Sequence, residues 1–321
     1  MSGPTSPRAS VVIPAHDEAA VIADNLRTLL ADARPGEFDV VVVCNGCSDD
    51  TADRARTVEG VRVREIAAAS KIEALREGDR VTSTFPRIYL DADVALTTAM
   101  ARALATALDE PGVAVAGIPG RFDLRRTSVP ARLFLEFRQR LPVFRHGVLG
   151  GGVYALSAPG RRRWGVWPDV TGDDQFVYRS FAADERATVT GHHTVIDPPS
   201  DLRAVVRRGV RVRRGNRQLS EGGSDHAALS APGAGLREAF REAVRTPRGL
   251  VSAVVFVAVT VMVRALDRFG AQGDWAGATS ATSASAPSDT AASVPSDIAA
   301  SAPSDTAASA PSDTAASQVG S

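Results

Sequence analysis

The sequence predicts an α/β fold, with a mostly parallel, Rossmann-like central sheet flanked by helices. Three observations carry that expectation. Short β-branched runs recur through the first 120 residues, helically spaced segments separate them, and acid-rich polar loops follow several of the runs. Strands alternating with helices imply βαβ units. A chain of 321 residues, 44% apolar, can bury one large core of this kind.

The strands are expected at "SVVIPA" (10–15), "DVVVVC" (39–44), "VRVREI" (61–66), "RIYL" (87–90) and "VAVAGI" (113–118). Between the first two, Ile22, Leu26, Leu29 and Leu30 share one face of a helix over 17–33. "SDDTADRAR" (48–56) opens with a Ser/Asp cap, and "ASKIEALREGD" (69–79) and "TTAMARALATAL" (97–108) complete the helical set. Beyond residue 120 the pattern loosens. "VPARLFLEFRQRL" (129–141) reads as a helix, "LGGGVYALS" (149–157) as a Gly-rich approach to a strand, and "TGDDQFVYRSFAAD" (171–184) as a helix with two acids in its first turn.

In parallel sheets the ligand crevice lies beyond the carboxyl ends of the strands. "PAHDE" (14–18), "CNGCSDD" (44–50) and the Asp91-Ala92-Asp93 triplet all follow strands, so all three are expected to face one crevice. Two carboxylates one residue apart repel, and burying either demands a positive partner. Asp-x-Asp in this place suits Mg²⁺ or Mn²⁺, which favour oxygen ligands and are commonly shared with substrate phosphates.

Of 37 basic residues only Lys71 is a lysine. An ammonium is a compact point charge and a guanidinium a planar fork, so a site built for one rejects the other. Lys71 is therefore a candidate functional residue.

The neutral net charge hides a division. Residues 271–321 contain five Asp and no Lys or Arg, leaving 37 basic against 32 acidic residues over 1–270. "LRAVVRRGVRVRRGNR" (202–217) alone holds seven Arg and no acid. Few aromatics interleave there, which favours phosphate, phospholipid or acceptor contacts and argues against nucleic acid. Two cysteines do not make a disulfide framework and the start shows no secretory signal, so a cytoplasmic protein is expected.

Leu236, Phe240 and Val244 stripe an amphipathic helix, and after Pro247 come fifteen uncharged residues, 249–263. As a helix these span about 22 Å, short of the roughly 30 Å hydrocarbon core. A helix lying on or shallowly inserted in the membrane's cytoplasmic face is expected, over a core helix or a full span. The octapeptide repeat of 285–316, with Pro in every unit, marks 271–321 as a disordered tail.

Taken in order, these motifs resemble family 2 glycosyltransferases of the GT-A fold. "VVIPAHDE" matches the family's first strand and polar run. "VVVCNGCSDDT" matches its second-strand loop in length and in Gly46, Asp49 and Thr51. "ASKIEAL", "YLDADV", "LGGGVYALS", "TGDDQFVYRSF" and "RVRRGNRQL" follow with matching spacing over about 10–217. The resemblance implies three regions: a GT-A domain over 8–220, a helical membrane-associating segment over 235–270, and the tail.

The resemblance also implies transfer of a sugar from a nucleotide-diphosphate donor to a hydroxyl acceptor, lipid or glycan, with inversion. Pro14, Ala15, His16 and Glu18 would line the nucleotide pocket, with Asn45 beneath the base or ribose. Lys71 would meet the nucleotide or its phosphates. Gly151 and Arg214, from the Gly-rich and Arg-rich segments, would complete donor binding. Asp93 would ligate Mg²⁺ or Mn²⁺, Asp91 would hold metal or ribose, and Asp174 would be the general base, with Asp173 as its alternate. The family's usual Asp pair in the second-strand loop is Cys44-Asn45 here, a departure at the base-recognising position.

Rival readings are weaker. "CNGC" is a C-x-x-C but lacks the aromatic that precedes a thioredoxin-like motif. No G-x-G-x-x-G follows the first strand, against a dinucleotide-binding dehydrogenase. An inactive nucleotide-sugar-binding scaffold at the membrane is the remaining alternative, although this chain keeps both the acidic pair and Asp-x-Asp.

Overall fold

The computed structural model describes residues 6–141, 144, 148–221 and 235–269. Its seven-stranded sheet begins with β1 (Ala9–Ala15), β2 (Phe38–Asn45), β3 (Val61–Ile66) and β4 (Arg87–Leu90), all parallel. The second half adds β5 (Val115–Gly117), β6 (Gly120–Phe122), β7 (Val153–Leu156), β8 (Arg186–Thr188) and β9 (Thr194–Ile196). The order is β3-β2-β1-β4-β7-β5-β8, while β6 and β9 pair separately. Strand β7 runs antiparallel to both β4 and β5.

The sequence explains the positions. Central strands covered on both faces read as continuous apolar runs, and Val11–Ile13 and Val40–Val43 are buried throughout. Edge strand β3 alternates exposed and half-buried residues and carries Arg62, Arg64 and Glu65, charges that blunt a free edge.

On the first half lie α1 (Ile22–Leu30), α2 (Thr51–Arg56), α3 (Lys71–Val81) and α4 (Thr98–Ala107). Ser70 and Thr97 cap α3 and α4 by accepting from the Glu73 and Met100 amides, each at 3.3 Å. Helix α1 is shorter than the expected 17–33. Asp17 sits at φ +55°, and its carboxylate accepts from the Ser48 amide at 2.6 Å, so the chain turns there before it winds. Helix α3 lies close on the sheet because residue 78 is glycine: a Cβ there would come within 2.2 Å of Val12 Cγ1.

At the end of α3 a buried polar hub ties helix to sheet. Asp79 accepts from Tyr89 Oη and Trp167 Nε1, each at 2.7 Å, and pairs with Arg87 and Arg161. Tyr89 stacks on Tyr154 of β7 with ring centroids 5.2 Å apart, carrying the connection into the next strand.

The second half also supplies α5 (Val129–Arg138), α6 (Ala158–Arg161), α7 (Asp173–Arg179), α8 (Leu202–Glu221), α9 (Leu236–Ala243) and α10 (Pro247–Phe269). Helix α10 packs on α5, α8 and α9. Ala131, Val205, Val206 and Val259 form one buried seam of this layer, and Phe137, Ala239, Ala243 and Ala253 another. Arg213 pairs with the buried Asp267 at 2.9 Å, and Arg248 with Glu136 at 2.6 Å. The other side of α10 is open: Leu250, Val251, Val254, Val257, Val261, Met262 and Leu266 are all exposed. The repeat tail of 271–321 lies outside the described residues.

Candidate active site

Three strand ends, those of β1, β2 and β4, build one side of the crevice. Strand β1 ends in Pro14 and Ala15, buried and paired with Val43 and Cys44. The β1–β4 pairing runs only from Ser10 to Val12, so Pro14 lies beyond it and its missing N–H interrupts no bond there. His16 follows, its Nδ1 2.7 Å from the carbonyl oxygen of Asn45, the buried last residue of β2. Glu18 is held at its amide by Thr51 Oγ1 at 2.8 Å.

Strand β4 delivers Asp91, whose amide donates to the Gly152 carbonyl at 2.8 Å, and a turn then presents Asp93. Gly152 (φ +66°) makes this crossing possible, since a Cβ there would lie 2.5 Å from Val94 Cγ2. The buried Gly151 accepts from Thr194 Oγ1 at 2.7 Å through its carbonyl.

Lys71, at the start of α3, spans the two sides. Its Nζ lies 2.6 Å from Asp91 Oδ1 and 2.8 Å from Asp173 Oδ1. Burial alone would lower its pKa, but Asp173 and Asp91 outweigh that and raise it above the ordinary lysine value. The ammonium thus bridges two carboxylates across the crevice.

Asp173, opening α7, is only 4% exposed and also accepts from Tyr154 Oη at 2.9 Å. Asp174 differs. Its carboxylate takes the Gly150 amide at 3.2 Å and its neighbour's amide, Gln175, at 2.7 Å. Burial first and Asp173 second push it up to about 6.

Charge in the crevice is unbalanced. Burial, then the charges of Asp93, Asp49 and Asp91, push Glu18 up to about 7. Burial and Asp91 likewise raise Asp93, although its side chain reaches solvent. Five carboxyls, Glu18, Asp91, Asp93, Asp173 and Asp174, thus act on one another around one ammonium. A divalent cation suits oxygen donors of this kind.

The sequence-predicted residues therefore separate into linked side chains, buried frame and one residue apart, Arg214. His16 and Asn45 touch, and Glu18, Asp91, Asp93, Lys71, Asp173 and Asp174 are linked by ion pairs or electrostatics. Pro14, Ala15 and Gly151 serve as buried frame. Arg214 lies on α8, with its side chain outside the described residues.

Three residues were missed. Tyr154 sits in the quoted Gly-rich strand, but nothing in the pattern singled it out. Arg138 ends α5 with its guanidinium 4.0 Å from the Phe144 ring centroid and 5.7 Å from that of Phe122. Burial and Arg208 lower Arg138 to about 10, while Asp174 opposes that shift. Arg208, on α8, also acts on Asp93. In sequence Arg138 stands between Phe137 and Gln139, two residues from Glu136 and next but one to Arg140, so nothing local singles it out.

The mostly parallel sheet flanked by helices is of the GT-A type. Residues 7–159, just under half of the chain, match the family model described as Glycosyltransferase like family 2. This segment is similar to that family's domain.

Among solved structures, the chain is similar to the mannosyltransferase PcManGT from Pyrobaculum calidifontis, in complex with GDP-Man and Mn²⁺. The identity is 18%, covering 84% of this chain and 89% of that one, with a TM-score of 0.59. It is also similar to glucosyl-3-phosphoglycerate synthase from Mycobacterium tuberculosis, in complex with Mn²⁺ and UDP-glucose. There the identity is 21%, the coverage 72% and 82%, and the TM-score 0.49. No curated protein matches the sequence.

Proposed function

We propose that this chain transfers a sugar from a nucleoside-diphosphate donor to a hydroxyl acceptor with inversion, using Mg²⁺ or Mn²⁺. The surplus of carboxylates at the strand ends carries this reading, because raised Glu18, Asp93 and Asp174 are groups that a bound cation would relieve. The PcManGT complex with GDP-Man and Mn²⁺ supports it through a shared fold.

Asp93 and Asp91 hold the cation, which when bound supplies Lewis-acid neutralisation of the leaving diphosphate. His16 and Asn45 flank the nucleoside, and Glu18 borders it. Lys71 keeps Asp91 and Asp173 in register across the crevice. Arg138 and Arg208 add positive charge on the acceptor side.

Asp174 takes the acceptor's proton, and Asp173 positions it. The choice rests on partners. Asp173 is spent on Lys71 and Tyr154, whereas among the described residues Asp174 is held only by amide donors and, at about 6, is ionised yet basic at neutral pH.

Helix α10 seats the domain on the cytoplasmic face of a membrane. Its Pro247–Arg268 stretch is long and apolar enough to cross one. Crossing would, however, strip it from α5 and α8 and unpair the buried Asp267 from Arg213. Lying flat keeps that packing and turns the exposed apolar face to lipid, with Arg245, Arg248, Arg264 and Arg268 at its ends for anionic headgroups. A membrane acceptor, lipid or glycan, suits this placement.

The test is calorimetric titration of UDP- and GDP-sugars with and without Mn²⁺, followed by donor turnover with lipid extracts as acceptor. Metal-dependent binding of one donor, and its turnover, is expected. Binding unaffected by chelator would overturn the metal assignment, and binding without any turnover would favour the inactive scaffold.

A further inference from the structure

Beside the acid cluster, at the mouth between β1 and β2, lies a second donor set of different chemistry. His16, Asp17 and Cys47 each offer one ligand atom, all within 4.8 Å of one another, and each residue is half-buried. We propose that they form a binding site for a borderline-soft cation such as Zn²⁺, separate from the oxygen-only pair Asp91 and Asp93.

The donor types make the first argument. Imidazole nitrogen, thiolate sulfur and carboxylate oxygen together are the ligands Zn²⁺ takes, whereas Mg²⁺ and Mn²⁺ favour oxygen alone. Spacing makes the second. Zinc bonds of about 2.0–2.3 Å in tetrahedral geometry put ligand atoms roughly 3.3–3.8 Å apart. The present set, with His16 Nε2 4.0 Å from Asp17 Oδ2, needs to close by about an ångström at most.

Orientation makes the third argument. A carbonyl only accepts, so the 2.7 Å contact with Asn45 O puts the proton on His16 Nδ1 and leaves the lone pair on Nε2, facing Asp17. Metal-binding histidines are characteristically fixed this way through their second nitrogen. The Asp17 carboxylate is steadied in turn by the Ser48 amide at 2.6 Å and the Ser48 hydroxyl at 3.1 Å. Cys47 Sγ lies 3.4 Å from the Ala15 carbonyl, its thiol turned inward over β1. Asp17 is the only non-glycine residue at positive φ among the described residues, so the backbone departs from its usual range where the three side chains converge. Cys44, only 2% exposed, belongs to the core and takes no part.

Three protein ligands leave a fourth position open to water or to a donor group of a ligand. Because His16 and Asn45 also flank the proposed nucleoside pocket, a cation here competes with donor. That consequence rests on the proposed function, but cation binding does not.

The test uses the full chain with Mn²⁺ present to fill the carboxylate pair and Co²⁺ as the probe. One Co²⁺ should bind with a thiolate-to-cobalt charge-transfer absorption, and one equivalent of Zn²⁺ should displace it. Cys47→Ser, checked for an unchanged melting temperature, should abolish the band and raise the Zn²⁺ dissociation constant by about tenfold or more. His16→Gln should weaken Zn²⁺ binding as well, while Cys44→Ser and Asp93→Asn should keep the band.

Absence of the band in the parent, or its persistence in Cys47→Ser, overturns the proposal. A chain that binds cobalt through Cys47 but binds no nucleotide sugar refutes the donor pocket and leaves this site standing. The converse result refutes only this site.

Discussion

Helix α3 joins two acidic centres of opposite character. At its end, Asp79 is met by two arginines, a tyrosine hydroxyl and an indole N–H, so every lone pair has a donor close by. At its start, Lys71 bridges two of a crowd of carboxyls, several of them with raised pKa. A saturated carboxylate holds a fold together, whereas a surplus of carboxylates keeps a place for charge that arrives with a ligand. The two centres should therefore answer to mutation in different measurements.

The largest expected effect is at the surplus. Asp93→Asn should take sugar transfer below detection and weaken metal-dependent nucleotide binding, with the melting temperature unchanged. Full activity of the parent in chelator would break the contrast at its root.

Asp174→Asn should lower turnover by about 10²–10⁴-fold while donor affinity stays. Its pH dependence sharpens the point. With its carboxyl pushed up to about 6, the folded chain holds the Asp174 proton more tightly than the unfolded chain, whose aspartates titrate near 3.9. Stability therefore falls as pH rises from about 4 to about 6. Activity runs the other way, because the base must be ionised, so turnover should climb through about pH 6. Asp174→Asn should flatten the stability decline, measured by denaturant titration at several pH values.

At the saturated centre, Asp79→Ala should cost about 3–5 kcal/mol of stability by stranding two arginines. The enzyme that remains folded should keep its metal requirement. Unfolding midpoints and turnover per folded molecule separate the two effects.

Lys71→Arg should weaken donor turnover nearly as much as Lys71→Ala. Each loses a charge-assisted contact worth about 1.5–3 kcal/mol, because a planar fork does not fit between Asp91 and Asp173 as the ammonium does. An arginine variant as active as the parent would show that any cation suffices.

The smallest effect on folding is expected on the outer face of α10. Val254→Gln with Val261→Gln should change stability by only about 0.5 kcal/mol each, yet abolish flotation with anionic vesicles. These substitutions test the membrane better than truncation at residue 236, which would uncover Ala131, Phe137 and Val206.

What was legible in the sequence follows the range of the physics. Strands β1 to β4 announce themselves through unbroken β-branched runs, and Asp91 and Asp93 through repulsion that no turn requires. Strands β6, β8 and β9 are three residues long and pair with distant partners, so no local period marks them. The late start of α1 turns on the backbone of one residue, Asp17, which helical spacing cannot reveal. Tyr154, Arg138 and Arg208 enter the site through tertiary approach alone. Asp79 reads in sequence as an ordinary acid near a helix end, and its four donors come from residues 87, 89, 161 and 167.

Phe137 and Arg138 are neighbours on α5, yet they belong to different worlds. Phe137 is fully buried, with Phe256 of α10 at 4.5 Å and Phe240 of α9 at 4.8 Å between ring centroids. Arg138, one residue on, acts on Asp174 and on the Arg208 of α8. Helix α5 therefore carries, on adjacent residues, a core contact to α10 and a charge that acts on the proposed base.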